Sequence, residues 1–97
     1  MSKEKNIEQY LREEVKKIGG RAYKFVSPGN AGVPDRLVLF PDGRIAFVEM
    51  KAPGKKPTAL QQVQQKRIAG LGFKVFNLDS VHAVDVFIQF YGEEKKV

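Results

Sequence analysis

Two carboxylates and an ammonium, Asp35, Glu49 and Lys51, flank a pair of apolar runs that should bring them together. The first run, Arg36-Leu37-Val38-Leu39-Phe40, follows Gly32-Val33-Pro34-Asp35. A turn signal at Pro41-Asp42-Gly43 separates it from Ile45-Ala46-Phe47-Val48, which ends in Glu49-Met50-Lys51. Two strands joined by a tight turn run antiparallel, so the start of the first lies beside the end of the second. Glu49 and Lys51, two apart on a strand, share a face. Carboxylates at the end of an apolar hairpin are costly to bury without a compensating charge. A hard cation with oxygen ligands, such as Mg²⁺, would relieve that cost. The plainer reading is a strand that leaves the protein there and exposes both Glu49 and Lys51.

The turn decides which way Asp35 points. A two-residue Asp42-Gly43 loop pairs Asp35 with Met50 and turns it away from Glu49. A three-residue loop with a bulge sets Asp35 opposite Lys51 and diagonal to Glu49. The chemistry therefore requires an odd loop, or an Asp35 that steps off its strand.

Several elements must hold this hairpin. Ile7, Tyr10, Leu11, Val15 and Ile18 recur at helical spacing over residues 4–18, and Gly19-Gly20 stops the helix. Residues 22–26 read as a strand, and residues 27–34 as a loop rich in Pro, Gly and Asn. After the hairpin comes a basic loop over residues 52–57, then Thr58 as N-cap of a helix reaching about residue 71. That helix carries an apolar stripe of Leu60, Val63, Ile68 and Leu71. Residues 73–78 form a fourth strand, and Ser80 caps a last helix over residues 81–90, ahead of the polar tail Glu93-Glu94-Lys95-Lys96. The order α-β-β-β-α-β-α predicts a three-layer α/β domain around a central mixed sheet. Apolar residues on both faces of the hairpin call for helices on both sides. The strand-helix-strand unit from Ile45 to the fourth strand predicts a right-handed crossover between parallel strands.

Composition narrows the possibilities. Ninety-seven residues suit one domain, here residues 1–97. No cysteine is present, which excludes disulfides, thiol catalysis and cysteine-ligated zinc, and accords with a reducing cytoplasm. No apolar run approaches the roughly 20 residues that span a membrane, and the polar start of the chain is unlike a secretory signal. Net charge is +6, from 17 basic and 11 acidic residues, so a polyanionic partner is expected. Acidic residues set within a basic surface point to phosphate chemistry beyond simple phosphate binding. Lys55, Lys56, Lys66, Arg67 and Lys74 are the candidate phosphate contacts; each could equally be a solvated surface charge. His82, the one histidine, is placed on the terminal helix and reads as structural or exposed.

Gly32-x-Pro34-Asp35, 13 intervening residues, and Glu49-x-Lys51 together resemble the PD-(D/E)xK nuclease signature. More narrowly, the chain resembles the small stand-alone VRR-Nuc domains of phages and prophages, from its first helix through Gly72-Phe73-Lys74-Val75. The resemblance implies a restriction-endonuclease-like fold and a metal-dependent endodeoxyribonuclease using Mg²⁺ or Mn²⁺. Products would carry a 5′-phosphate and a 3′-hydroxyl. Asp35, Glu49 and the Met50 backbone carbonyl would be metal ligands, with Lys51 orienting the attacking water. A first-helix glutamate would complete the site: Glu8 matches best, with Glu4 as rival, although a solvated helix edge is the commoner fate of such a residue. A glutamine of the second helix would hold the lysine or the nucleophile. Family spacing selects Gln61, whereas the helical stripe contains Gln64.

The same resemblance implies a homodimer that resolves four-way (Holliday) junctions inside a bacterial or phage-infected cell. Val81, Val84, Val86, Phe87, Ile88, Phe90 and Tyr91 exceed what one packing stripe needs, so the terminal helix could cover a second subunit. Against this stand a monomeric flap nuclease, a non-catalytic DNA-binding module of the same fold, and a basic adaptor for acidic proteins. The adaptor leaves Asp35, Glu49 and Lys51 unexplained.

Overall fold

A computed structural model describes residues 3–92. The polar tail at residues 93–97 lies outside the described residues. The elements are α1 (Lys3–Lys17), β1 (Arg21–Lys24), β2 (Arg36–Leu39), β3 (Ile45–Met50), α2 (Ala59–Gly70), β4 (Lys74–Leu78) and α3 (Val81–Phe87). α3 continues as a wider π-helical turn over Ile88–Gly92. The sheet order is β1-β2-β3-β4. β1, β2 and β3 are successively antiparallel, and β4 joins β3 in parallel after the α2 connection. The expected mixed sheet and element order are what the chain adopts.

Alternation along the strands divides the two faces. Val38, Ala46, Val48, Met50 and Leu78 point one way and are buried with Ile7, Leu11 and Val15 of α1 and with Val84 and Phe87 of α3. Their neighbours in sequence point the other way, toward α2: Gln65 of α2 exchanges two amide hydrogen bonds with Asn77, at 2.8 and 3.0 Å. The layers are therefore α1 with α3, the sheet, and α2. The α2 side is far less closed than its apolar stripe predicts. Leu60, Val63 and Leu71 are exposed, and the one buried residue of α2 is Gln64.

The hairpin loop resolves the register question in a third way. Gly43 takes φ 90°, and its N–H donates to the Phe40 carbonyl while Phe40 N–H donates to Arg44. This is a three-residue loop, Pro41-Asp42-Gly43, closed by a left-handed glycine. Arg36 pairs with Val48 and Leu39 with Ile45. The loop starts one residue earlier than the Asp-Gly signal suggests, because Pro41 supplies its first position. Continuing that register by one residue sets Asp35 opposite Glu49. Both registers weighed from the sequence are thus replaced, and the shared face of the two carboxylates is retained. Arg44 braces the turn: its Nε donates to Asp42 Oδ2 at 2.7 Å, its Nη1 to the Tyr91 carbonyl, and it lies over the Phe40 and Tyr91 rings. Among the described residues no helix is long and apolar enough to cross a membrane.

Candidate active site

Asp35 stands just before β2 and is held from two sides. Its carbonyl accepts from Phe25 N–H at 2.8 Å, which carries the β1 pairing one step further. Its carboxylate Oδ2 accepts from the Met50 N–H at 2.8 Å. Glu49 is the adjacent residue on β3, 2% exposed. Its Oε2 lies 3.5 Å from Lys51 Nζ, while its Oε1 is buried with no hydrogen-bond partner. A buried unpaired carboxylate oxygen is expensive.

The electrostatics state the same cost. Burial, then the negative charge of Asp35, push the Glu49 carboxyl up from 4.5 to about 7. Lys51 pulls it back, and Glu4 adds a smaller push upward. The site therefore carries more negative charge than its one ammonium balances. Asp35 and Glu49 could hold a cation there. Among the described residues no group of three or more His, Cys, Asp or Glu side chains converges on a metal position. Two carboxylates suit Mg²⁺, which binds through one or two of them and keeps several waters. The orphaned Oε1 of Glu49 is an oxygen donor of the kind a hard cation takes.

The two first-helix carboxylates weighed from the sequence have different surroundings. Glu8 Oε2 accepts from Arg36 Nε at 2.6 Å, and Arg36 Nη1 reaches the Ala22 carbonyl at 3.1 Å. Arg36 alternates with Asp35 and so faces α1, which is where Glu8 meets it. Glu4, one turn earlier, is the α1 carboxylate whose charge acts on Glu49. The Arg36 ion pair had no sequence signal, because nothing in a strand pattern names a partner on a distant helix.

The two candidate glutamines make different bonds. Gln61 Oε1 accepts from Thr58 N–H at 2.9 Å while Thr58 Oγ1 accepts from Gln61 N–H at 3.2 Å. This reciprocal capping box engages the Oε1 of the side chain that family spacing assigned to the lysine or the nucleophile. The Thr-x-x-Gln spacing in the sequence is itself the signal for it. Gln64 is buried, and its Nε2 donates to the Ala31 carbonyl at 3.2 Å. Asn77, opposite Glu49 in the β3–β4 register and bonded to Gln65, is a further polar neighbour that the sequence reading missed.

The basic residues fall in three places. Lys55 and Lys56 are exposed on the loop that leaves Lys51, and Gly54 N–H ties that loop to Asp79 Oδ2 at 3.2 Å. Lys66 and Arg67 lie exposed on the second half of α2. Lys74 pairs with Ala46 at the other end of β4, roughly 10 Å along the strand from the level of Glu49. His82 is exposed on α3.

No family model matches the chain. A curated relative, "Putative nuclease p44" of Acyrthosiphon pisum secondary endosymbiont phage 1, is 59% identical over 78 residues, covering 80% of this chain and 84% of the relative. A solved structure described as a VRR_NUC domain superimposes with a TM-score of 0.88 at 35% identity, covering 94% of this chain and 99% of its own.

Proposed function

Because the chain belongs to the VRR-Nuc family of nucleases, we propose that it is a divalent-metal-dependent endodeoxyribonuclease with Asp35, Glu49 and Lys51 at its centre. The observation that carries this reading is the buried, unpartnered Oε1 of Glu49 beside Asp35 and Lys51. A purely structural role would leave that oxygen's cost without return.

Asp35 and Glu49 would hold the metal, with the Met50 carbonyl as a further ligand. Bound Mg²⁺ or Mn²⁺ supplies Lewis-acid polarisation of the scissile phosphate and a water acidified for attack. The Met50 N–H keeps the Asp35 carboxylate aimed across the hairpin. Lys51, held near Glu49 and mostly buried, orients the water through its N–H donors. Its charge also offsets the negative charge that grows on the phosphorus oxygens in the transition state. Lys55 and Lys56 lie beside this centre and grip the nearby phosphates; Lys66 and Arg67 extend the contact outward, while Lys74 sits on the other sheet face at the far end of β4.

The substrate is branched DNA, ideally a four-way junction, cut by a symmetric homodimer. Supporting this is an apolar groove of about 410 Å³ between β4 and the terminal helix, lined by Phe76, Val86, Phe87 and Phe90 among others. Phe90 is 71% exposed there, an apolar side chain that a second subunit would cover. A two-fold dimer supplies the paired active sites that symmetric cleavage needs. The test is incubation with plasmid, flap and four-way-junction DNA, with and without Mg²⁺ or Mn²⁺. Paired nicks in the junction that depend on metal are expected; metal-independent binding without cleavage would point to a DNA-binding module.

A further inference from the structure

We infer that Gln64 is a positioning residue for the metal site: it latches the loop over residues 27–34 onto α2 and so fixes where Asp35 enters the sheet. The inference rests on Asp35 and Glu49 being the metal-binding pair proposed above.

The starting observation is a misplaced polarity. α2 exposes Leu60, Val63 and Leu71 and buries a glutamine, 9% exposed. A buried amide is costly unless bonded, and the bond that Gln64 Nε2 makes is to the Ala31 carbonyl at 3.2 Å. That carbonyl belongs to a segment of Pro28, Gly29, Asn30 and Gly32 with no strand of its own.

The next residue confirms the docking from the loop side. Gly32 has φ 90°, and a Cβ there would lie 3.0 Å from the Leu60 carbonyl carbon, its oxygen and Cγ. The loop backbone therefore rests directly on the first turn of α2. Two adjacent loop residues, Ala31 and Gly32, meet two α2 residues one turn apart, Leu60 and Gln64. From Gly32 the chain passes through Val33 and the buried Pro34 to Asp35. Three residues span roughly 10 Å at most, so the docking point limits where the carboxylate can sit. The Met50 N–H then selects its orientation.

The amide of Gln64 thus acts on the metal through a backbone segment. Groups bonded directly to a metal ligand change metal affinity or activity by about 10- to 100-fold when removed, and a hold applied through the backbone belongs at the lower end.

The test is Mn²⁺ titration of plasmid nicking by the full chain, with hydrogen exchange of the metal-free protein alongside. Gln64→Met keeps the side chain's length and removes its donor. It should raise the Mn²⁺ concentration for half-maximal nicking about tenfold, leave the KM for DNA at saturating Mn²⁺ unchanged, and speed exchange in residues 28–34 while β3 and β4 stay protected. Gln64→Lys, which restores an N–H donor of sufficient reach, should recover most of the metal dependence. Gly32→Ala, which wedges the same contact from the loop side, should reproduce the Mn²⁺ shift. Unchanged Mn²⁺ dependence and unchanged exchange in Gln64→Met would overturn the latch. Loss of protection across the whole chain would overturn it too, since Gln64 would then serve the fold at large. Full cleavage by Asp35→Asn would instead sink the metal-site proposal itself.

Discussion

The Met50 N–H donates to Asp35 Oδ2 at 2.8 Å, across the hairpin and immediately beside Glu49. One backbone donor thereby orients one carboxylate while the next residue back buries another. Glu49 is set by β3 itself, whereas Asp35 comes off the loop before β2 and is tied to β3 by that one bond.

Removing either acid should stop cleavage without unfolding the protein. Asp35→Asn and Glu49→Gln are expected to lose all detectable nicking and most Mn²⁺ affinity by calorimetry. Lys51→Ala should keep Mn²⁺ affinity and lose turnover by ~10² or more. Unchanged Mn²⁺ binding in both acid variants would show that the ligands lie elsewhere.

Stability without metal should fall as pH rises. Glu49 titrates near 7 in the folded chain against an ordinary value of 4.5, so the folded state holds this proton more tightly than the unfolded state. Its contribution is fully present below about 4.5 and is lost as pH climbs to about 7. The loss is on the order of 3 kcal/mol. Urea unfolding in EDTA between pH 5 and 8 should show this slope, and Glu49→Gln should flatten it. Metal competes with the same proton, so apparent Mn²⁺ affinity should weaken on acidification below 7.

Gln61 should matter for stability more than for chemistry. Thr58→Ala and Gln61→Ala each remove half of the capping box; the threonine change should cost about 1 kcal/mol. Single-turnover cleavage at a temperature where both variants are folded should stay near wild type. A large loss of cleavage in Gln61→Ala at unchanged melting temperature would restore the family-based role.

Phosphate contacts should weaken with distance from the acids. Lys55→Ala and Lys56→Ala should each lower affinity for all DNA sequences alike and flatten the salt slope by about 1. Lys74→Ala, at the far end of β4, should change the slope less. Losses that vary with base sequence would mean base readout.

Self-association should depend on the terminal helix. Phe90→Glu places a charge in the exposed apolar groove and should convert a dimer to a monomer in sedimentation equilibrium, with junction cleavage lost and single-strand nicking retained. A monomeric wild-type mass at micromolar concentration would exclude the dimer.

Much of the architecture was legible because it rests on local rules. Periodicity placed α1 and the four strands within a residue or two, since burial repeats at the period of the element. Thr58 and Ser80 announced their helices because a cap is read by its own next turn. That Asp35, Glu49 and Lys51 come together was legible because their positions in a hairpin make them neighbours. Tertiary structure decided what those rules do not contain. The register changed because Pro41 joined the loop, which a pairwise Asp-Gly signal cannot weigh. Glu8 went to Arg36 and Gln64 to Ala31 because each partner arrives from an element distant in sequence. The exposed stripe of α2 looked like core because apolarity marks a face as buriable without saying what reaches it.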